Sequence, residues 1–255
     1  MKHLEPENLR PETGPQEAPD YIEMSDQFQQ MVDEFFSVQI RYQAAMREVQ
    51  ARLENLDMEF QMKHYRNPIH HMESRMKSIQ SIMKKLKRKQ FPVSMTSAVE
   101  NLYDLAGIRV VCSYIQDIYT VAGLLTSQDD IHLVHVHDYL SKPKQNGYRS
   151  LHLVIEVPVY LSGGKSMVPV EVQIRTIAMD FWATLEHNLR YKAEGVVTEE
   201  ISRELLRAAE DIADVDERMQ SIHDRMDALN LRELPEDLRP LPSFQREIPP
   251  SRKRM

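Results

Sequence analysis

The chain has seven glycines, Gly14, Gly107, Gly123, Gly147, Gly163, Gly164 and Gly195, so none falls between residues 15 and 106. Glycine marks turns and left-handed backbone. A stretch of that length without it predicts continuous helix, followed by a compact α/β region where glycines resume. Periodicity agrees. From about Met24, residues Phe28, Val32, Phe35, Gln39, Tyr42, Met46, Val49, Leu53, Leu56 and Phe60 alternate spacings of four and three, and only Gln39 is polar. That pattern predicts one long amphipathic helix. Asn67-Pro68 predicts the cap and first turn of a second helix ending near Lys89, its buried stripe being Ile69, Met72, Met76, Ile79, Met83 and Leu86.

Strand signals follow. Gly107 to Tyr114 is short and β-branched, and His132 to Tyr139, Ser150 to Val157 and Met167 to Arg175 give three more strands. Ser162-Gly163-Gly164-Lys165 reads as the hairpin turn joining the last two. Ile118 to about Ser127 and Ile177 to about Lys192 read as helices. Thr198, with Glu199 and Glu200 behind it, opens a final helix. There Ile201, Leu205, Ala208, Ile212, Val215, Met219, Ile222, Met226 and Leu229 keep four-three spacing, the pattern of a seam against another helix. Its partner is either the N-terminal helix of the same chain or a second subunit. Residues 1–22, with four prolines, and 231–255, with five, read as disordered arms around one domain over 23–230.

Composition sets some functions aside. No apolar run approaches the roughly 20 residues of a membrane span, and the N-terminus has no secretory or lipidation pattern. A single Cys112 rules out an internal disulfide framework and fits a reducing compartment, so a cytoplasmic location is expected. The net charge of -7 argues against a general nucleic-acid coat and leaves local basic sites open.

Two segments concentrate reactive side chains. Between Asp138 and His152, the cations Lys142, Lys144 and Arg149 surround Tyr148. Cations for phosphate and an aromatic face for a base suit a phosphorylated ligand with a flat ring. A solvated loop whose tyrosine packs on the sheet has the same composition. In Glu171-Val-Gln-Ile-Arg-Thr176, alternation puts Glu171, Gln173 and Arg175 on one strand face, where they serve a metal and a phosphate or merely face solvent. Asp104 adds a carboxylate at a strand start, with Arg109 five residues on. Two carboxylates on neighbouring strands would hold Mg²⁺ and leave room for phosphate oxygens; Asp104 alone is a turn cap.

The segments Asp104-Leu-Ala-Gly-Ile-Arg109, Asp138-Tyr139, Lys144-Gln-Asn-Gly-Tyr-Arg-Ser-Leu-His152 and Glu171-Val-Gln-Ile-Arg-Thr176 resemble the synthetase domain of RelA/SpoT-type alarmone synthetases. Ala178-Met-Asp-Phe-Trp-Ala-Thr-Leu-Glu-His187 and Tyr191-Lys192 extend the resemblance, in the right order, over roughly residues 25–230. The length resembles the small single-domain branch, without the hydrolase and regulatory domains of the long enzymes. The resemblance implies an α+β fold with a mixed, nucleotidyltransferase-like sheet between long N- and C-terminal helices. It implies a GTP pyrophosphokinase of the stringent response, moving pyrophosphate from ATP to the 3′-hydroxyl of GDP or GTP. Asp104 and Glu171 would hold Mg²⁺, with Glu171 also taking the acceptor's proton. Arg75, on the second helix, and Arg109 would bind ATP. Tyr148 would stack on guanine, with Lys144, Asn146, His152 and Gln173 around the acceptor. A homo-oligomer, a tetramer in the family, is the implied assembly. The family has Arg or Lys before Asp138, where this chain has His137.

Other signals read differently. Gly164-Lys165-Ser166 mimics the end of a P-loop, but Val159 stands where its first glycine belongs, and the segment lies between strands. His132, His135 and His137 read as a strand rim, because no carboxylate or thiol spacing joins them into a metal site. Lys84 to Lys89 is either a solvated helix end or a nucleic-acid surface. The second option would fit a toxin-like relative that pyrophosphorylates the 3′ end of tRNA. A non-catalytic helical assembly module is a third function, opposed by the presence of both carboxylates, Tyr148 and the arginines.

Overall fold

The computed structural model describes residues 26–64, 66–192 and 198–233. In chain order the elements are α1 (Asp26–His64), β1 (Ile69–Met76), α2 (Ile79–Arg88), α3 (Met95–Asn101), β2 (Ala106–Cys112) and α4 (Ile115–Thr126). They continue with β3 (His132–Asp138), β4 (Leu151–Leu161), β5 (Gly164–Thr176), α5 (Ile177–Lys192) and α6 (Glu199–Glu233). The five strands make one sheet ordered β1-β2-β5-β4-β3. Only β2 and β5 run parallel. This is the expected mixed sheet of an α+β fold.

One face of the sheet is apolar. Alternate residues Ile108 and Val110, Leu151, Leu153 and Ile155, and Val170, Val172 and Ile174 are buried there. Helix α1 lays its predicted stripe on this face, burying Phe35, Tyr42, Met46, Val49 and Leu53 in the same cluster. The spacing that named the stripe in the sequence is the spacing that seats it. Each fully buried aliphatic side chain contributes about 1.5–3 kcal/mol. The opposite face carries mainly polar side chains, with Val111 and Val154 buried among them.

The helix expected from Asn67 to Lys89 is two elements. Ile69–Met76 forms the edge strand β1, so Arg75 lies on a strand, not on a helix. Helix α2 starts only at Ile79, where the Ser78 hydroxyl accepts from Ser81 N–H at 3.3 Å. Asn67 donates to Asp57 instead of capping a helix. The misreading has a structural cause. A register irregularity between Ile69 and His71 puts Ile69 out of alternation with Met72 and Met76. The apolar residues therefore recur at three and four, as on a helix. The short α3, capped by Ser94, lies where no element was expected.

The remaining strands and helices fall close to their predicted bounds. Leu161 pairs with Gly164 across the hairpin turn, and Gly164 takes φ +100°. Thr198 accepts from Ile201 N–H at 3.3 Å and opens α6. That helix turns a different stripe inward. Ala209, Ala213 and Asp216 are buried on the side that packs along α5 and α4. The apolar seam lies beside this stripe, and Ile201, Val215, Met219, Ile222, Met226 and Leu229 remain 44–55% exposed. The arm expected over 1–22 lies outside the described residues, as does the tail beyond Glu233; α6 itself runs past the expected boundary at residue 230. No described helix is long and apolar enough to cross a membrane.

Truncating the stripe should expose its weight. Leu53 is fully buried between α1 and the sheet, whereas Met62 on the same helix is 77% exposed. Leu53→Ala should lower the unfolding free energy by about 2–5 kcal/mol in denaturant titration. Met62→Ala should stay within about 0.5 kcal/mol of the parent.

Candidate functional site

Strand register assembles the polar face. Pairing aligns Glu73, Arg109, Gln173, His152 and His137 in one row across all five strands. The adjacent row is Arg75, Gly107, Glu171, Val154 and His135. Paired residues share a face, so acid, amide, imidazole and guanidinium groups converge, and Gly107 adds no side chain between Arg75 and Glu171.

Asp104 stands in the turn before β2. Its Oδ2 accepts from Lys77 Nζ at 2.7 Å and from Lys85 Nζ, while Oδ1 is buried with no hydrogen-bond partner among the described residues. Burial alone would raise the Asp104 pKa; the two ammonium groups outweigh it and hold the carboxyl below its ordinary range. Glu171 is governed by the same competition. Burial pushes its pKa up, but hydrogen bonds from His152 and Gln173 win, even against the nearby negative charge of Asp104. Gln173 Nε2 donates to Glu171 Oε2 at 2.8 Å, and His152 Nδ1 lies 3.4 Å from Oε1. The other ring nitrogen of His152 is 2.8 Å from the Tyr148 hydroxyl. The two ring nitrogens of His152 thus link Tyr148 to Glu171 in one line of contacts.

A group of cations lies beside this line. Arg175 is 2% exposed, and Asp180 Oδ1 on the first turn of α5 sits 3.0 Å from its Nε, misaligned for a hydrogen bond. Arg109 Nη1 is 3.6 Å from the same oxygen and 3.3 Å from Glu73. Among the described residues neither arginine's Nε has a hydrogen-bond partner. Burial, with help from Arg109, lowers the Arg175 pKa, yet a guanidinium stays charged at any neutral pH. Half-used guanidinium donors suit phosphate oxygens.

The loop from Lys144 to Ser150 closes the site. Lys144 Nζ lies 4.4 Å from the centre of the Tyr139 ring and 4.6 Å from that of Tyr148. Asn146 Nδ2 donates to Glu186 on α5 at 3.0 Å, and its Oδ1 accepts from Tyr148 N–H at 3.3 Å. Both ends of that amide therefore shape the loop. Gly147 has φ +86°, and a Cβ there would lie 2.4 Å from Ala209 Cβ on α6. The loop backbone rests directly on that helix.

The structure thus gathers Asp104, Glu171, Arg75, Arg109, Tyr148, Lys144, His152 and Gln173 on one face, and turns Asn146 toward α5. Sequence reasoning missed Lys77, Lys85, Asp180 and Glu186. Lys85 was hidden in a run read as a solvated or nucleic-acid-binding face; Lys84, Lys87, Arg88 and Lys89 are indeed exposed. Asp180 carried a usable signal, an acid in the first turn of a helix five residues after Arg175. His135 and His137 are exposed on β3, His135 edge-on to Tyr103 and His137 stacked on Tyr139 at 5.9 Å. For a metal, two carboxylates with one orphaned buried oxygen fit Mg²⁺. That ion takes one or two protein carboxylates and completes its shell with phosphate and water.

The chain is similar to known proteins. A family described as a region found in RelA / SpoT proteins matches residues 74–196. The chain is 41% identical over 197 residues to the GTP pyrophosphokinase YwaC of Bacillus subtilis, covering 77% of this chain and 94% of that protein. It is 36% identical over 183 residues to the GTP pyrophosphokinase YjbM of the same organism, covering 72% and 85%. Among solved structures, small alarmone synthetase 1 from Bacillus subtilis bound to its product pppGpp superposes with TM-score 0.71 at 34% identity, covering 76% and 98%. Small alarmone synthetase 2 from that organism gives 0.67 at 42% identity, covering 73% and 97%.

The seating of the loop on α6 is testable with two glycines. Gly147→Ala must strain the left-handed backbone and displace Ala209, and should cost at least about 1–2 kcal/mol in thermal or chemical denaturation. Gly163, whose added Cβ would meet nothing within 4 Å, should accept alanine with a change of about 0.4–1 kcal/mol in the stabilising direction.

Proposed function

This chain belongs to the RelA/SpoT family, and on that premise we propose how it makes (p)ppGpp, by transferring pyrophosphate from ATP to the 3′-hydroxyl of GDP or GTP. The observation that carries the residue assignment is the parallel register of β2 and β5. Glu171 stands opposite Gly107, and Gln173 opposite Arg109, so an ionised acid and a phosphate-binding cation share one face.

The 3′-oxygen of the acceptor attacks the β-phosphorus of ATP. The bond from that phosphorus to the α–β bridging oxygen breaks, AMP leaves, and the hydroxyl proton passes to Glu171. The lowered pKa of Glu171 keeps it ionised and ready at neutral pH. His152 orients its carboxylate, and Tyr148 orients His152. Arg75 and Arg109 hold the donor phosphates, with the buried Arg175 adding positive potential behind them. Tyr148 stacks on guanine, and Lys144 moves from its ring to the acceptor's phosphates. Gln173 and His152 line the ribose, while Asn146 serves through the shape of the loop. Asp104 and Glu171 would hold Mg²⁺, which would supply neutralisation of the phosphate charge. Positioning and charge neutralisation are what such a transfer needs from a protein.

The reading extends to assembly and place. A homo-oligomer, a tetramer by family resemblance, is supported by the exposed seam of α6. A cytoplasmic location is supported by the lone thiol of Cys112, which is buried and has its pKa pushed up by that burial.

Three variants test the assignment. Glu171→Gln should keep its melting temperature and lose about 10²-fold or more in AMP release from ATP and GDP; near-parental turnover would remove Glu171 from the role of base. Tyr148→Ala should raise the acceptor KM by about tenfold to a hundredfold, the worth of one base–aromatic stack of about 1–3 kcal/mol. Tyr148→Phe should hold acceptor KM within about twofold and lose only part of kcat, since it keeps the ring and frees His152. Equal weakening of ATP-analogue affinity and acceptor KM in Tyr148→Ala, with a fallen melting temperature, would make the tyrosine a packing residue.

A further inference from the structure

We propose that Asp216 on α6 is a positioning residue for the transfer reaction, fixing both the N-terminus of α5 and the seat of the acceptor loop. The proposal rests on the reading given above. Asp216 is 6% exposed, and its Oδ2 accepts from the Thr176 hydroxyl. The same hydroxyl accepts from Met179 N–H at 3.1 Å. A hydroxyl has one proton to give, so Thr176 caps α5 with its lone pair and is locked in that orientation by the carboxylate. The capped turn carries Asp180, which lies between Arg175 and Arg109. A shift of this turn would move a carboxylate against the donor arginines.

The second half of the coupling runs through the loop. Ala209 lies on the same buried stripe of α6 as Asp216 and supports Gly147. The charge of Arg149, two residues beyond Gly147, acts on Asp216. Trp182 of α5 donates to the Leu205 carbonyl at 3.0 Å, which ties the two helices beside the loop. One helix, α6, thus holds the turn that carries Asp180 through Asp216 and the acceptor loop through Ala209.

A stabilising role alone does not account for Asp216. Burial raises its pKa, and the Thr176 hydrogen bond and the Arg149 charge offset this only in part. An acid with a raised folded-state pKa is most favourable when protonated, and its contribution falls as pH rises through the window above the ordinary carboxylate value. At neutral pH the ionised group is therefore less favourable in the fold than the neutral acid would be, while its hydrogen bond to Thr176 fixes a direction.

The test compares Asp216→Ala with Asp216→Asn, whose amide oxygen still accepts from Thr176. Asp216→Ala should raise acceptor KM by about tenfold and lower kcat in protein that stays folded at the assay temperature. Asp216→Asn should recover acceptor KM to within about twofold. In nucleotide-free protein, amide hydrogen exchange over residues 144–149 and 177–182 should quicken in the alanine variant and return toward the parent in the asparagine variant. Should the alanine variant not fold, Thr176→Val and Thr176→Ser pose the same contrast. Parental KM and exchange in Asp216→Ala would overturn the proposal. So would equal loss in both variants, scaling with a lowered melting temperature at unchanged KM. If the parent protein makes no alarmone, the functional reading fails, while the exchange comparison still judges the positioning role.

Discussion

β2 and β5 run side by side in the same direction with Gly107 opposite Glu171 and Arg109 opposite Gln173, and the candidate site depends on that register. A slip of one residue would turn Glu171 and Arg109 to opposite faces of the sheet. The register is specified from below. Ile108 and Val110 on β2 and Val172 and Ile174 on β5 alternate with the polar residues and are fully buried under α1. A slip of either strand would turn its two side chains into water at about 1.5–3 kcal/mol each, a large share of the roughly 5–15 kcal/mol that holds a domain folded. The apolar core therefore fixes where the acids and cations stand.

On the polar face, the balance between burial and pairing sets each group's charge. Asp104 and Glu171 are both pushed toward the neutral form by burial, and in both the donors nearby prevail. Asp216 is the contrasting case. With a threonine hydroxyl and a less direct arginine for company, its burial prevails. The same protein thus keeps two carboxylates ionised where phosphate chemistry is proposed, and holds a third, costlier one at a helix cap behind them. The arginines are arranged differently again. Arg109 and Arg175 share Asp180 and keep donors unused, which leaves capacity for a phosphorylated ligand.

Much of this was legible in the sequence, for physical reasons that also explain the failures. The stripe of α1 was readable because a long helix on a flat apolar face repeats one spacing many times. β4, β5 and their turn were readable because alternation and the paired glycines agree. β1 was not, because a register irregularity at Ile69 gives an edge strand the spacing of a helix. The seam of α6 was readable as apolar, but the helix buries its small residues Ala209 and Ala213 instead, which periodicity does not rank above larger ones. Glu171, Gln173 and Arg109 could be placed on one face by alternation alone. Lys77, just after β1, and Lys85, on α2, reach Asp104 across 27 and 19 residues of sequence, contacts that no local pattern encodes. Asn146 stood out as a ligand candidate, and its partnership with Glu186 shows it shaping the loop.

The most direct test of the central claim follows the label rather than the rate. ATP labelled at the β-phosphorus is incubated with Mg²⁺ and, separately, GDP, GTP and tRNA, the last because Lys84, Lys87, Arg88 and Lys89 stay exposed. The account predicts unlabelled AMP together with label at the 3′-position of ppGpp or pppGpp. Label retained in ADP or released as phosphate, or carried only by tRNA, would contradict it.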